Sequence, residues 1–338
     1  MIRCDIRATR WSEVAAALLP KRRNVLWNDP VSVPVHSDNA GLSHVFSFLR
    51  ASEVLENKNS KVLISPSMDQ AAHHAIRSHG FPVLHEDAET RAVVVSHQFG
   101  FPQDLDEIRS HCQHRRIVVI EDCAQALGGT YKGRPLGSDG LAGIFSLSHF
   151  FPSLTGGAVV SGDARLRAHV ARLEQAGTRA LALFSFCIKL ALQNHARTSK
   201  TAGFALRLDE FASAGDPHSS RLLLAENICG LKGVRDELEV RRRNYQLYRR
   251  LLPDHAELQA LEADAVPQVL PLMHPSREAL EKTAFSLRGL GLDTGVHLFD
   301  ANRNIFNERR VPCVPLPVHG GIDTALVGRV VEIIRRHR

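Results

Sequence analysis

No CxxC pair occurs among the six cysteines, Cys4, Cys112, Cys123, Cys187, Cys229 and Cys313, which stand far apart and in no zinc-ligand spacing. A disulfide scaffold and a zinc ribbon are therefore excluded, and a reduced, cytoplasmic setting is expected. No apolar run reaches the roughly 20 residues that a spanning helix needs. The most apolar window, LALFSFCIKLAL at 181–192, is interrupted by Lys189 and reads as core or subunit packing, with an interfacial amphipathic helix as the alternative. The opening MIRCDIRATRWSEVAAALLPKRR has too short an apolar stretch for a secretory leader and no small-residue cleavage site behind it. No signal peptide and no transmembrane segment are expected. Internal repeats and low-complexity tracts are missing as well, which removes solenoid and fibrous classes.

What is present is an ordinary globular composition: 338 residues, 44% hydrophobic and 23% charged, enough for two domains with a sizeable core. Lys plus Arg number 42 against 36 acidic residues, a net charge of +6, which favours acidic small molecules or an anionic surface. Much of the excess sits in a few arginine runs, so nucleic acid is not expected as a partner. Eighteen histidines invite a metal reading, yet His73 with His74 and His111 with His114 are not i,i+4 pairs with an acidic third ligand. No metal is expected. The run Arg241, Arg242, Arg243 with Arg249 and Arg250 lies on a helix, where a solvated face is the plain reading and contact with a nucleotide diphosphate the sharper one.

Between residues 61 and 122, short apolar runs alternate with amphipathic stretches: KVLISP, MDQAAHHAIRSHG, FPVLHED, AVVVSHQFG, DLDEIRSHC and RIVVIED. Such alternation predicts βα repeats and a mostly parallel sheet covered on both faces by helices. GIFSL at Gly143 and GAVVSG at Gly157 continue the strands, and ARLRAHVARLEQAG follows as a helix. Residues 177–216 break the rhythm and read as an excursion or insertion. A long helix over 219–252 leads to a smaller C-terminal α+β part, with VPQVLPLM as a strand, SREALEKTAFSLRGLG as a helix that Gly289 caps, and IDTALVGRVVEIIRRH as the closing helix. The expected division is a large domain at 1–233 and a small one at 234–338.

The segment VIEDCAQALGGTYKGRPLGS (119–138) resembles the DegT/DnrJ/StrS family of sugar aminotransferases, pyridoxal-phosphate (PLP) enzymes of fold type I. SHQFGFPQDLDEI, GIFSL, TGGAVVSGD, VRRRNYQLYRRLL, GLDTGVHLF and VPLPVHGGID extend the resemblance in the same order over about three quarters of the chain. The resemblance implies the fold-type-I α/β architecture, PLP as cofactor, a nucleotide-sugar-like substrate, and a homodimer or a heterodimer with a paralogue. It implies roles residue by residue. Asp122 matches the acid that keeps the pyridine nitrogen protonated, so that the ring serves as an electron sink; Gln125 matches the position beside the ring oxygen, and Ser146 the phosphate contact. Asn39 and Ala40, in SDNAGL, match the helix N-terminal turn whose N–H groups cradle the phosphate. Here Asp38 and Asn39 replace the family's small residues, and a carboxylate repels a phosphate. His297 matches a position near the substrate entrance, and a structural role suits it equally well.

The family's Schiff-base lysine is the missing part. Counting five residues on from Ser146 gives Phe151, and counting back from Gly156 and Gly157 gives His149; no lysine lies between Lys132 and Lys189. Lys189 and Lys200 fall in the excursion. The aromatic that covers the cofactor ring is replaced near Asp69 and Gln70, and the partner-subunit Asn stretch by Gly215 to His218, with Pro217 in place of the Asn. The leading expectation is a degenerate sugar-aminotransferase-like protein of sugar, polysaccharide or natural-product biosynthesis that does not transaminate and for which PLP is doubtful. One branch of the family, sugar 3-dehydratases, has histidine in place of the lysine; by that resemblance His149 is a candidate base, since imidazole moves protons near neutral pH but forms no aldimine. A packed loop histidine is the alternative at that position. A non-catalytic subunit paired with an active paralogue, and a conventional aminotransferase, complete the set.

Overall fold

The computed structural model describes residues 2–5, 31–151, 156–174, 231–262 and 265–337. The excursion at 177–216, with its apolar window, Lys189, Lys200 and Pro217, lies outside the described residues. The chain starts with β1 (Ile2–Arg3) and β2 (Ser32–Val35), then α1 (Asp38–Ala51), β3 (Lys61–Leu63), α2 (Gln70–Arg77), β4 (Phe81–Val83) and β5 (Thr90–Ser96). It continues with α3 (Leu105–Arg115), β6 (Val118–Cys123), the hairpin β7 (Thr130–Tyr131) and β8 (Arg134–Pro135), β9 (Ala142–Ser146), β10 (Gly157–Val160) and α4 (Ala164–Glu174). These build a seven-stranded sheet in the order β2-β10-β9-β6-β5-β3-β4, in which β10 alone runs against its neighbours.

The two faces of the sheet are read from period-two alternation. In β5, Ala92 and Val94 join a core with Leu42, Val45, Phe46 and Leu49 of α1 and Leu166 and Val170 of α4. Val93 and Val95 face the other way, onto Leu105, Ile108 and Cys112 of α3. Strands buried on both faces carry near-continuous apolar runs, which is why VVV and IVVI were legible as strands. The helices begin where side chains satisfy their unpaired N–H groups: Ser37 Oγ accepts from Ala40 N at 3.1 Å, and Asp69 Oδ1 from Ala72 N at 2.7 Å.

The C-terminal part comprises α5 (Leu231–Leu251), α6 (Ala256–Gln259), β11 (Val269–Met273), α7 (Arg277–Gly289), β12 (Leu292–Asp293), β13 (His297–Asp300), β14 (Arg310–Pro317) and α8 (Thr324–Arg336). An antiparallel sheet β11-β14-β13 packs its buried leucines and valines against α7, α8 and Tyr245 and Tyr248 of α5. The expected boundary at 233/234 falls inside α5, and β1, at the chain's start, pairs with β12. Two expectations are corrected. Gly289 is the last residue of α7, and the left-handed conformation that favours glycine belongs to Gly291 (φ 85°), whose N–H reaches Arg288 O at 2.8 Å. Arg241 is not on a solvated face: it is fully buried, while Arg242 and Arg243 are exposed.

Among the described residues no helix is long and apolar enough to cross a membrane. Cys4, Cys112, Cys123 and Cys313 are buried free thiols.

Candidate functional site

In an open parallel sheet, the loops leaving the C-terminal ends of the strands converge on one edge, and ligands bind there. β2, β5, β6 and β9 all end at that edge, bringing Asp38, Ser96, Asp122, Ser146 and His149 together. A cleft of about 870 Å³ reaches this cluster at His149; Gln98, Phe99 and Gln125 also line it, and Gln268, Thr294, His297 and Arg310 line it from the C-terminal part. That volume suits a small organic ligand.

The glycine pair at the start of β10 lets two backbones meet here. A Cβ on Gly157 would collide with the carbonyl of Phe145, and it would also press on Asp38 N. β10 therefore lies close against the N-terminus of α1.

At that N-terminus the protein's own groups take the N–H donors. Asn39 N donates to Asp38 Oδ1 at 3.0 Å, and Ala40 N donates to Ser37 Oγ at 3.1 Å. Asp38 Oδ2 stands 3.5 Å from His149 Nε2. Burial works to raise the Asp38 carboxyl, but His149, the Asn39 N–H and the Ser146 hydroxyl outweigh it and hold the group below the usual carboxylate range. The resemblance had suggested that Asp38 would repel a phosphate. The geometry adds that its carboxylate sits among the groups that would hold one.

His149 is anchored on both sides. Gln268 Nε2 donates to the His149 carbonyl at 3.2 Å and lies 3.1 Å from Nδ1, which orients the ring with Nε2 toward Asp38. Burial opposes its protonation, yet Asp38, followed by Asp5 and Asp122, lifts the imidazole above its ordinary value. Phe151, on the other count for the lysine position, and its neighbour Phe150 are buried in the core on the α3 side of the sheet. Among the described residues no lysine lines the cleft.

The His149–Asp38 pair makes a pH prediction. His149 has a raised value in the fold, so its contribution is complete below its unfolded value of 6.5 and fades as pH rises through the higher folded value. Asp38 has a lowered value, so its contribution is complete above 3.8 and fades as pH falls through the lower folded value. The stability difference between the natural protein and Asp38→Asn, from urea midpoints, is expected to be largest between these two values and to shrink on either side. A difference that stays flat from pH 4 to 9 would remove the ion pair from the account.

Asp122 lies near the end of β6. Its Oδ2 accepts from Ser96 Oγ at 3.0 Å and its Oδ1 from Ala124 N at 3.1 Å. Burial raises its carboxyl and prevails over those two donors, with help from the charges of Asp38 and Asp69. Gln125 Oε1 accepts from Phe99 N at 2.7 Å and holds the turn after β5 at the lining of the cleft. Asp69, one of the two residues nearest the position at which the resemblance implies a ring-covering aromatic, serves as the N-cap of α2.

Several site residues were invisible to motif reading. Glu121, fully buried beside Asp122, accepts from Gly137 N (2.8 Å), Asp139 N (2.7 Å) and Gly140 N (3.0 Å) and pairs with His97 Nε2 at 3.1 Å, so it anchors the loop that leads into β9. A buried acid next to the site acid was the available signal. Gln268, Asp5 and Arg241 carry no local signal, because their roles depend on segments far apart in the chain. Arg241 donates to Glu237 Oε1 (2.8 Å), Gln268 O (2.7 Å) and Asp5 O (3.0 Å), with its guanidinium 4.8 Å from the Phe150 ring centroid. It therefore braces both neighbours of His149, Gln268 and Phe150, without facing the cleft.

Comparison with known proteins agrees with this architecture. The sequence pattern of the DegT/DnrJ/EryC1/StrS aminotransferase family matches residues 87–298. The chain is 36% identical over 172 residues, 45% of its length, to the dTDP-3-amino-3,4,6-trideoxy-alpha-D-glucose transaminase of Streptomyces venezuelae, covering 41% of that protein. It is 39% identical over 95 residues, 26% of its length, to a UDP-N-acetyl-3-dehydro-alpha-D-glucosamine 3-aminotransferase of Acidithiobacillus ferrooxidans, covering 25% of it. These matches span less than half the length of the curated relatives. Among solved structures, Helicobacter pylori PseC, an aminotransferase involved in the biosynthesis of pseudoaminic acid, superposes with a TM-score of 0.68 at 15% identity over 98% of this chain and 97% of its own. The sugar aminotransferase CalS13 of Micromonospora echinospora gives 0.64 at 20% identity over 99% and 100%. The fold is that of these fold-type-I aminotransferases.

Proposed function

Because the chain belongs to the DegT/DnrJ/EryC1/StrS aminotransferase family, its cleft is read against that family's chemistry, and we propose that this member binds a sugar-type small molecule there and does not transaminate. The observation that carries the reading is the His149–Asp38 ion pair at the end of β9, where the family resemblance calls for a lysine and an open phosphate turn. A transaminase needs an amine that forms an imine with PLP and then returns a proton to the substrate carbon. Neither His149 nor Phe151 supplies that amine.

The residues at this edge do not fit PLP as the family holds it. The donors at the start of α1 are engaged by Ser37 and Asp38, and the Asp38 carboxylate sits beside Ser146, where a phosphate needs hydroxyl and N–H groups. Asp122 and Gln125, matched to family positions by the resemblance, keep one half of the site in this reading. The size of the cleft and its Thr294, His297, Arg3 and Arg310 suit a hydroxyl-rich ligand, and the nucleotide-sugar names of the relatives supply the substrate class.

Absorbance of the purified full chain with added PLP, before and after borohydride, tests the first half. No reduced adduct on any lysine peptide is expected. A lysine adduct would restore a conventional aminotransferase. PLP bound without a reducible adduct would favour the second reading, a dehydratase-like enzyme in which His149, kept proton-bearing by Asp38, acts as acid and base. Calorimetry with a dTDP- or UDP-hexose tests the second half: binding in the micromolar to millimolar range is expected, and no heat at millimolar ligand removes the sugar. Co-purification of a related aminotransferase would point to a subunit in a mixed dimer.

A further inference from the structure

Outside the residues that line the cleft, three side chains from three separate elements converge. His36 follows β2, His44 lies in the second turn of α1, and Glu174 is the last residue of α4. Glu174 Oε1 lies 3.0 Å from His36 Nδ1 and 3.0 Å from His44 Nε2, and the donor atoms of all three fall within 4.8 Å of one another. None of the three side chains is more than 14% exposed.

We propose that His36, His44 and Glu174 form a binding site for a zinc-type divalent transition-metal ion. Two imidazoles and one carboxylate are a donor set that such a borderline cation prefers, with a fourth position left to water. Donors at 2.0–2.1 Å in a tetrahedron stand roughly 3.3 Å apart, so the two observed 3.0 Å pairs need to open only slightly. The frame exists without the ion, since α1 and α4 pack side by side on one face of the sheet. A second contact orients the carboxylate, as the His36 N–H faces Glu174 Oε2 at 3.3 Å.

The coordination uses neutral imidazoles, bound through Nδ1 of His36 and Nε2 of His44, each ring carrying its proton on the other nitrogen. The ion ties the segment leaving β2 to the end of α4. Because His36 directly precedes Ser37 and Asp38, it also stiffens the turn at the edge of the cleft. Spacing alone hides the site: the ligands stand 8 residues (44 − 36) and 130 residues apart along the chain.

The probe is cobalt(II), added to the chelator-treated full chain. Expected are the intense visible bands of four-coordinate cobalt at one equivalent, bleached by zinc, with affinity falling by about tenfold or more in His44→Ala and in Glu174→Gln. His79→Ala, a histidine near α1 but outside the triad, should leave the bands unchanged. A second reading needs no variant: zinc is expected to raise the thermal midpoint of the natural chain by mass action. Absence of four-coordinate bands, bands that persist in both variants, or a midpoint indifferent to zinc would each overturn the site.

Discussion

Arg241→Ala is expected to lower folding stability by about 3–5 kcal/mol, the usual consequence of removing one partner from a buried ion pair. The guanidinium is fully buried, and its loss strands more than one group. Glu237, 7% exposed, loses its partner at 2.8 Å, and the carbonyls of Gln268 and Asp5 lose donors at 2.7 and 3.0 Å. Arg241→Lys should recover only part of the loss, because an ammonium cannot present the planar fork that reaches three directions at once. Urea midpoints decide between this and the solvated-face reading of the arginine run: on a solvated face either change would cost under about 0.5 kcal/mol. Arg242→Ala and Arg243→Ala, on exposed neighbours, serve as the comparison and should be nearly neutral.

Asp38→Ser is expected to increase the affinity of the cleft for inorganic phosphate and for PLP by about tenfold or more, roughly 1.4 kcal/mol. Two effects act in the same direction. The substitution removes a negative charge from a helix N-terminus, where the partial positive charge favours an incoming anion. It also releases Asn39 N, now held by Asp38 Oδ1, and frees the Nε2 side of His149, 3.5 Å from Asp38 Oδ2. Isothermal titration of the full chain with each anion, on the natural protein and the variant, reads the change. Equal affinities in the two would show that Asp38 is not what stands in the anion's place.

Both predictions concern what a linear reading reached only halfway. The helix carrying VRRRNYQLYRRLL was legible from its periodicity, but not which arginine turns inward, because the segments that cover Arg241 come from residues 5, 150 and 268. At Asp38, the charge beside a phosphate turn was visible in the letters. Its pairing with His149, 111 residues (149 − 38) further on, depended on β10 bringing Gly157 close against the start of α1. Gly289 stands two residues before the left-handed glycine, Gly291, and where two glycines lie this close to a helix end only the backbone angle tells which one is left-handed.

By itself the sequence determined the βα alternation, the strands buried on both faces, the family resemblance, and the absence of a lysine between residues 132 and 189. These are local or countable properties: residue spacing sets which face is apolar, and a missing amine is missing in any fold. Only the tertiary structure decided that His149 is held between Gln268 and Asp38, that Glu121 is a fully buried anchor, and that His36, His44 and Glu174 meet. Each of these depends on distances between segments that chain order leaves open, and on burial, which turns an ordinary charged side chain into one that must find a partner.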